Sequence, residues 1–213
     1  MYLIELYELM EAGEGLTTEF KRKFTTPEKV AKEMCALANT SGGMILFGVD
    51  DDKTIYGIDS EKEEFELIST TAKFYCEPEI SFSSEVLYIK NKDILVVHIP
   101  ESRTKPHRIY SEEEHENGKV YVRFNDKSIL ASREGEKILK NTTDDSSPLK
   151  LYIGDIEKAL FTYLEMNQKI TVKGFKRLVN ISERRASRTL INLVRAQVIR
   201  HHFLDNEEFF TLV

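Results

Sequence analysis

Long apolar runs, internal repeats, low-complexity tracts and nucleotide-binding glycine motifs are all absent from this 213-residue chain, and cysteine occurs only twice. No apolar stretch approaches the roughly 20 residues that a membrane-spanning helix needs. The opening Met-Tyr-Leu-Ile-Glu-Leu-Tyr-Glu-Leu-Met has no basic leader, no long apolar core and no small-residue cleavage site, so neither membrane insertion nor secretion is expected. Cys35 and Cys76 each sit inside an apolar-patterned segment. Two thiols in a chain of this length suit a reducing compartment, the cytoplasm, rather than a disulfide framework. There is no Gly-x-x-x-x-Gly-Lys and no Gly-x-Gly-x-x-Gly, and Gly42-Gly43 follows a helical pattern instead of opening one. That pair is therefore expected to be a helix C-cap leading into a buried strand, which excludes an NTPase phosphate loop.

The length allows one large domain, or one of ordinary size plus a small one, with a true core in either case. An overall charge of −6 argues at first against a polyanionic partner. Its distribution reverses that argument. From Lys169 to Leu204 there are nine Lys or Arg against the single acid Glu183, a net of +8, whereas the first 168 residues carry −11 and the last nine −3. Charge is segregated, and the basic part is compact.

Leu3, Leu6, Tyr7 and Met10 recur at helical spacing, and the pattern ends near Gly13 or Gly15. Thr18 to Phe24 alternates Phe20 and Phe24 against Glu19, Lys21 and Lys23, as in a half-buried strand. Pro27 opens a second helix with the stripe Val30, Met34, Leu37 and Ala38, and Met44 to Val49 is a strand buried on both faces. A short strand is expected at Thr54 to Ile58 and a helix from Ser60 to Tyr75 with Phe65, Ile68 and Ala72 inward. Ile80 to Ile89 and Ile94 to Ile99 look like an antiparallel pair, Val120 to Phe124 like the last strand of this unit, and Ser132 to Lys140 like a closing helix. Residues 141–150 are rich in turn formers and are expected to link a domain at 1–140 to one at 151–213.

In the basic module, residues 155–166 and Thr171 to Val179 form two amphipathic helices, and the turn Asn180-Ile181-Ser182 supplies an N-cap for a third. That third helix places Ala186, Leu190, Leu193 and Val194 in a core stripe and Arg184, Arg185, Arg188, Asn192 and Arg195 on the other face. A short helix, a three-residue turn and an arginine-faced helix is the layout in which the second helix enters the major groove. Arginine suits guanine edges, and both Arg and Lys neutralise phosphate. Val198 to Leu204 and Phe209 to Val213, joined by an acidic turn, complete a plausible β-hairpin wing, so the module resembles a winged helix in length and order. The alternative is a solvated helix face, or a winged helix that docks protein. His201 and His202 alternate along a strand and have no nearby cysteine, which makes them strand residues rather than metal ligands.

Three features recur together: Glu14 followed by Thr18-Glu19-Phe20-Lys21; Ala38-Asn39-Thr40-Ser41-Gly42-Gly43-Met44-Ile45-Leu46-Phe47-Gly48-Val49-Asp50-Asp51; and Val96-Val97-His98-Ile99-Pro100-Glu101-Ser102 with Lys105-Pro106 and Val120-Tyr121-Val122-Arg123. Over about residues 14–140 the chain resembles the Schlafen-type AlbA-like domain, a domain associated with DNA binding in bacterial and archaeal regulators and also found in animal Schlafen proteins. The resemblance implies an α/β (α+β) domain with a mixed sheet, and bacterial members often carry a winged helix behind it. In the animal Schlafen ribonucleases three acidic residues form a metal-assisted RNA-cleaving site. Motif for motif, the resemblance places these at Glu14, Glu19 and Asp51 and implies Mg2+ or Mn2+ there. Three convergent carboxylates could hold a hard cation that activates water. Glu14 and Glu19, five residues apart, meet only if the chain bends at Gly15. The chain has one copy of the domain where those enzymes pair two lobes, and it lacks their Cys/His zinc motif, so an RNA-gripping cleft would require a homodimer. Otherwise Glu19 pairs with Lys21 or Lys23, and Asp51 is a turn residue. Lys21, Lys23 and Arg123 are candidate phosphate contacts, or partners for the surrounding acids.

The first expectation is a nucleic-acid-binding protein, a DNA-binding transcriptional regulator that needs no cofactor and has no membrane partner. The alternative is a metal-dependent endoribonuclease acting on structured RNA, and a third class is a protein-interaction adaptor. Whether the chain is an enzyme stays open on sequence.

Overall fold

The computed structural model describes residues 2–110, 118–141, 153–204 and 207–213, and within these the chain forms seven helices and ten strands. It divides into two compact units, Met1–Ala131 and Ser132–Val213. No helix among the described residues is long and apolar enough to cross a membrane.

The first unit opens with α1 (Leu3–Ala12), β1 (Thr18–Lys21), α2 (Pro27–Asn39) and β2 (Gly43–Phe47). Pro27 stands in the first turn of α2, where its missing N–H costs nothing, and the Thr26 side chain caps the helix by accepting from Lys29 N at 3.4 Å. Next come α3 (Glu61–Phe74), β3 (Cys76–Glu77), β4 (Ser83–Ile89), β5 (Lys92–Ile99), β6 (Arg108–Ile109), β7 (Tyr121–Phe124) and β8 (Lys127–Leu130). The central sheet has the order β1-β2-β5-β4, parallel between β1 and β2 and antiparallel elsewhere. Lys90 and Asn91, both at positive φ, make the two-residue turn from β4 to β5.

Period-two alternation sends Ile45, Phe47, Leu95, Val97 and Ile99 to one face, against Val30, Met34, Leu37, Ile68 and Ala72 of α2 and α3. Phe20, Leu46, Ile94 and Val96 point the other way and bury Leu6 and Met10 of α1. Leu3 and Tyr7, expected on the same stripe, remain about half exposed. The short strand expected at Thr54 to Ile58 is reduced to single bridges, Val49 with Ile55 and Ile58 with Asp93. β7 does not join the central sheet. It pairs with β8 and lies along α2, whose C-terminal end supplies the missing partners: Asn39 Nδ2 donates to Tyr121 O and Thr40 Oγ1 accepts from Arg123 N, both at 2.9 Å.

The C-cap of α2 is Thr40 rather than the glycine pair expected there, and Gly42 follows two residues later with its N donating to Leu37 O at 2.9 Å. A Cβ at Gly43 would lie 2.3 Å from Thr17 O, and one at Gly42 would lie 2.5 Å from Glu101 N. These glycines let three backbone segments meet, and both have positive φ.

Asn39 also fastens the loop before β6. It accepts from His107 N at 2.7 Å and donates to His107 O at 2.9 Å. His107 Nδ1 lies 2.6 Å from Pro78 O, which can only accept, so Nδ1 carries the proton and Nε2 accepts from Ser102 Oγ at 2.6 Å. Burial holds the His107 pKa below its usual 6.5, with the Lys105 charge adding to the effect against the Pro78 bond. The unfolded chain thus binds a proton near pH 6.5 that the folded chain refuses, so stability falls as pH drops through 6.5 toward the folded pKa. Thermal unfolding between pH 7.5 and 5.5 should show this loss, and His107→Gln should flatten it. An identical pH slope in the variant would remove His107 from this role.

The second unit contains α4 (Arg133–Asn141), α5 (Asp155–Asn167), α6 (Val172–Leu178), α7 (Glu183–Arg195), β9 (Ile199–Leu204) and β10 (Glu207–Leu212). Leu160, Leu164, Phe175, Ala186, Leu190, Leu193 and Phe210 form its core. Each fully buried phenylalanine contributes roughly 1.5–3 kcal/mol of hydrophobic stabilisation. Thr171 caps α6 by accepting from Gly174 N, and Ser182 caps α7 by accepting from Arg185 N. β9 and β10 are antiparallel, and Ile170 adds a bridge to Phe210. The helix at 133–141, placed with the first domain from sequence, belongs to this second unit. Ile138 packs on its core, and Glu134 Oε1 accepts from Ser187 Oγ of α7 at 3.2 Å. The division thus falls after Ala131, and the linker expected at 141–150 lies almost wholly outside the described residues.

Candidate nucleic-acid interface

The chain does turn between Glu14 and Thr18, where Gly15 N donates to Thr18 O at 3.0 Å. This brings Glu14 back onto β1, and its Oε1 accepts from Phe20 N at 2.9 Å, closing an amide on the sheet edge. Burial raises the Glu14 pKa above 4.5; the Phe20 bond opposes this, and the charges of Glu19 and Asp51 add to it. Glu14 is therefore close enough to each of the other two acids named from sequence for their charges to interact.

They are not arranged as a ligand set. Among the described residues no three His, Cys, Asp or Glu side chains are placed to hold one metal ion. Glu19 is only 6% exposed, and both of its oxygens are engaged: Oε1 by Lys21 Nζ and Oε2 by Arg123 Nη1 at 2.8 Å. Asp51 is exposed in the turn after β2. In this arrangement the residues do not fit a Mg2+ or Mn2+ centre.

Arg123, expected as a phosphate contact, is instead a buried cross-link. Its side chain is fully buried. Nη1 donates to Glu19 Oε2, to Glu33 Oε2 at 3.1 Å and to Ser128 Oγ at 3.2 Å; Nη2 donates to Gly15 O at 2.5 Å and Thr18 O at 3.3 Å. Ser128 Oγ also donates to Glu33 Oε2. A planar guanidinium with five donors can tie a helix, a strand and a turn together in this way, and lysine could not. Nε is the one buried side-chain nitrogen or oxygen without a partner among the described residues. Glu19 and Glu33 are thus met by three cations, Arg123, Lys21 and Lys32, whose Nζ lies 3.8 Å from Glu33 Oε1. Lys21 is committed to Glu19 and Phe20 O, while Lys23 is exposed. Glu33 and Ser128 are the partners that sequence reasoning missed. The available signal was a glutamate between Val30 and Leu37, on the buried stripe of α2.

α7 presents the other candidate surface. Arg184, Arg185 and Arg188 are exposed, and none of their side chains has a hydrogen bond or ion pair within the chain among the described residues. Asn192 and Arg195 lie on the same side, part-buried. Lys173 and Arg177 of α6 are exposed, whereas Lys176 pairs with Glu183 at 3.3 Å. Two acids of β10 are paired within the unit, Glu207 with Lys169 at 3.0 Å and Glu208 with His201. His202 stacks on Phe209 and His201 tilts against Phe210, so the two histidines face opposite sides as expected and belong to no metal cluster among the described residues.

The chain superposes on the DIP2311 protein of Corynebacterium diphtheriae at a TM-score of 0.49 and 12% identity, covering 92% of this chain and 34% of that one. It also superposes on the N-terminal domain of a protein from Nitrosomonas europaea named as related to the ATP-dependent DNA helicase RecG, at a TM-score of 0.42 and 19% identity, covering 72% of this chain and 92% of that one. The chain thus spans about a third of the length of the first and nearly all of the second. The family profile described as Schlafen, AlbA_2 matches residues 14–132. That match takes in the turn at Glu14, the whole mixed sheet and the Arg123 cross-link, more than half of the chain, and the protein belongs to the Schlafen, AlbA_2 family.

Proposed function

We propose that this protein binds nucleic acid as a DNA-binding transcriptional regulator, with its second unit acting as a winged helix-turn-helix that presents α7 to the major groove and β9–β10 as the wing. The observation that carries this reading is the row of exposed arginines at 184, 185 and 188, whose side chains have no polar partner among the described residues, on a helix whose opposite face is core. Burial of Ala186, Leu190 and Leu193 fixes which side of α7 faces out, and exposed guanidinium groups with no hydrogen bond or ion pair among the described residues are available to phosphate and guanine edges. Both cysteines are buried and free, which supports a cytoplasmic setting. In this reading the Schlafen, AlbA_2 unit contributes further nucleic-acid contact or a homodimer contact, and no cofactor is needed. Fluorescence anisotropy of the full chain with mixed-sequence duplex DNA should give an affinity whose logarithm falls linearly with log salt, by about 0.9 for each phosphate neutralised. Absence of salt-sensitive duplex binding would overturn the reading.

The closeness of Glu14 to Glu19 and to Asp51 keeps a second reading, metal-dependent cleavage of structured RNA. It requires Glu19 to exchange Arg123 for a cation. Asp51→Ala is the clean probe, because Asp51 is exposed and outside the Arg123 cluster. If cleavage with Mn2+ exists and belongs to this site, the variant should lose it while keeping its melting temperature. No cleavage by wild type with either metal, or equal cleavage by the variant, would remove this reading.

A further inference from the structure

We propose that α4 is a second phosphate-contacting element, lying beside α7 and gripping the backbone of the same duplex. The inference rests on the reading of α7 as the groove-facing helix and extends it to residues outside the helix-turn-helix. Arg133, Lys137 and Lys140 stand at i, i+4 and i+7 on α4, so they line one side of the helix, and all three are exposed. Ile138 turns the other way, into the core shared by α5, α6 and α7.

The basic side of α4 adjoins the basic side of α7. Lys137 Nζ donates to Ser187 Oγ at 3.4 Å, and Ser187 lies between Arg184 and Arg188 in sequence. Glu134, the acid nearest this junction, is engaged by Ser187 and lies 3.8 Å from Lys137. Glu136 is half-buried and also has a partner. Around the helix, Ser187, where α4 meets α7, sits roughly 110° from the middle of the arginine face, by the 3.6-residue repeat. An element docked there flanks the groove-facing side instead of covering it. That is the place for contacts to the sugar-phosphate backbone beside the groove that α7 enters.

α4 is held firmly enough for such contacts to be pre-organised. Ser132 Oγ accepts from Gly135 N at 2.9 Å, capping the helix, and donates to Glu208 Oε1 of β10 at 2.7 Å. The N-terminus of α4 is thereby tied to the hairpin and its middle to α7. With the helix already docked, only the side chains themselves remain to be ordered when they meet phosphate.

The test is the full-length double variant Arg133→Ala/Lys140→Ala, with Lys137 retained because it also bonds Ser187. Duplex binding should weaken about tenfold and the salt slope should fall by up to about two. The loss should be equal for all duplex sequences, because phosphate carries no base information. Lys140 also has a partner within the chain, so the melting temperature should change by no more than about 2–4 °C, the size of one surface contact. The proposal is overturned if the folded double variant keeps the wild-type affinity and slope while Arg184→Ala/Arg185→Ala/Arg188→Ala loses binding; that result would make α4 a structural brace only. If neither variant differs from wild type, the α7 reading fails and the proposal fails with it.

Discussion

Replacing Arg123 with Met should destabilise the first unit by about 3–5 kcal/mol, the range expected when one partner of a buried ion cluster is removed. Met fills much of the same volume, so the effect is electrostatic rather than a cavity. Glu19 and Glu33, 6% and 8% exposed, would be left as two buried carboxylates without their shared cation. Gly15 O and Thr18 O would be deprived of donors as well. At roughly 2–4 °C per kcal/mol for a protein of this size, the thermal midpoint should fall by on the order of 10 °C. Adding Glu19→Gln and Glu33→Gln to the Met variant should restore part of the stability, since neutral amides need no counter-charge. A destabilisation below about 1 kcal/mol would mean that the cluster is solvated in solution.

The same cluster governs how variants of the acidic residues have to be interpreted. Glu19→Ala would strand Arg123 in the interior next to Glu33, so loss of any activity in that variant follows from unfolding as readily as from chemistry. Asp51 has no such entanglement. Glu14 lies between the two: its carboxylate closes the Phe20 amide, so Glu14→Gln, which keeps an acceptor, is the conservative change there.

The strands and helices with a one-sided local cause were legible in the sequence. The apolar run of β2 follows from burial on both faces, the β4–β5 turn from Lys90-Asn91, and the α7 N-cap from Ser182. What was not legible depended on neighbours distant in the chain. Arg123 reads as an exposed strand residue until β7 is found to pack on α2 and bring it to Glu19, 104 residues away. Glu33 sits where the apolar stripe of α2 demanded burial, a local signal that only a buried cation could satisfy. The helix at 133–141 has an apolar pair, Ile138 and Leu139, but periodicity does not say which of two cores receives it. The α7 arginine face was visible from periodicity alone, because the core stripe Ala186, Leu190 and Leu193 fixes the opposite side.

That face carries the central claim, and its removal should have the largest effect on function. Arg184→Ala/Arg185→Ala/Arg188→Ala leaves the core of α7 and the Ser182 cap intact, and the exposed side chains make no hydrogen bond or ion pair among the described residues. Stability should therefore stay within about 0.5 kcal/mol of wild type. Duplex affinity should fall on the order of 100-fold or more, since each truncated arginine leaves a phosphate or a base edge without its cation. The decisive measurement is the slope of log affinity against log salt for wild type and the triple variant on one duplex. The account predicts a slope shallower by about two to three, roughly one unit for each phosphate that an arginine no longer neutralises. An unchanged slope and affinity in a folded triple variant would contradict it, because duplex binding would then lie elsewhere on the protein.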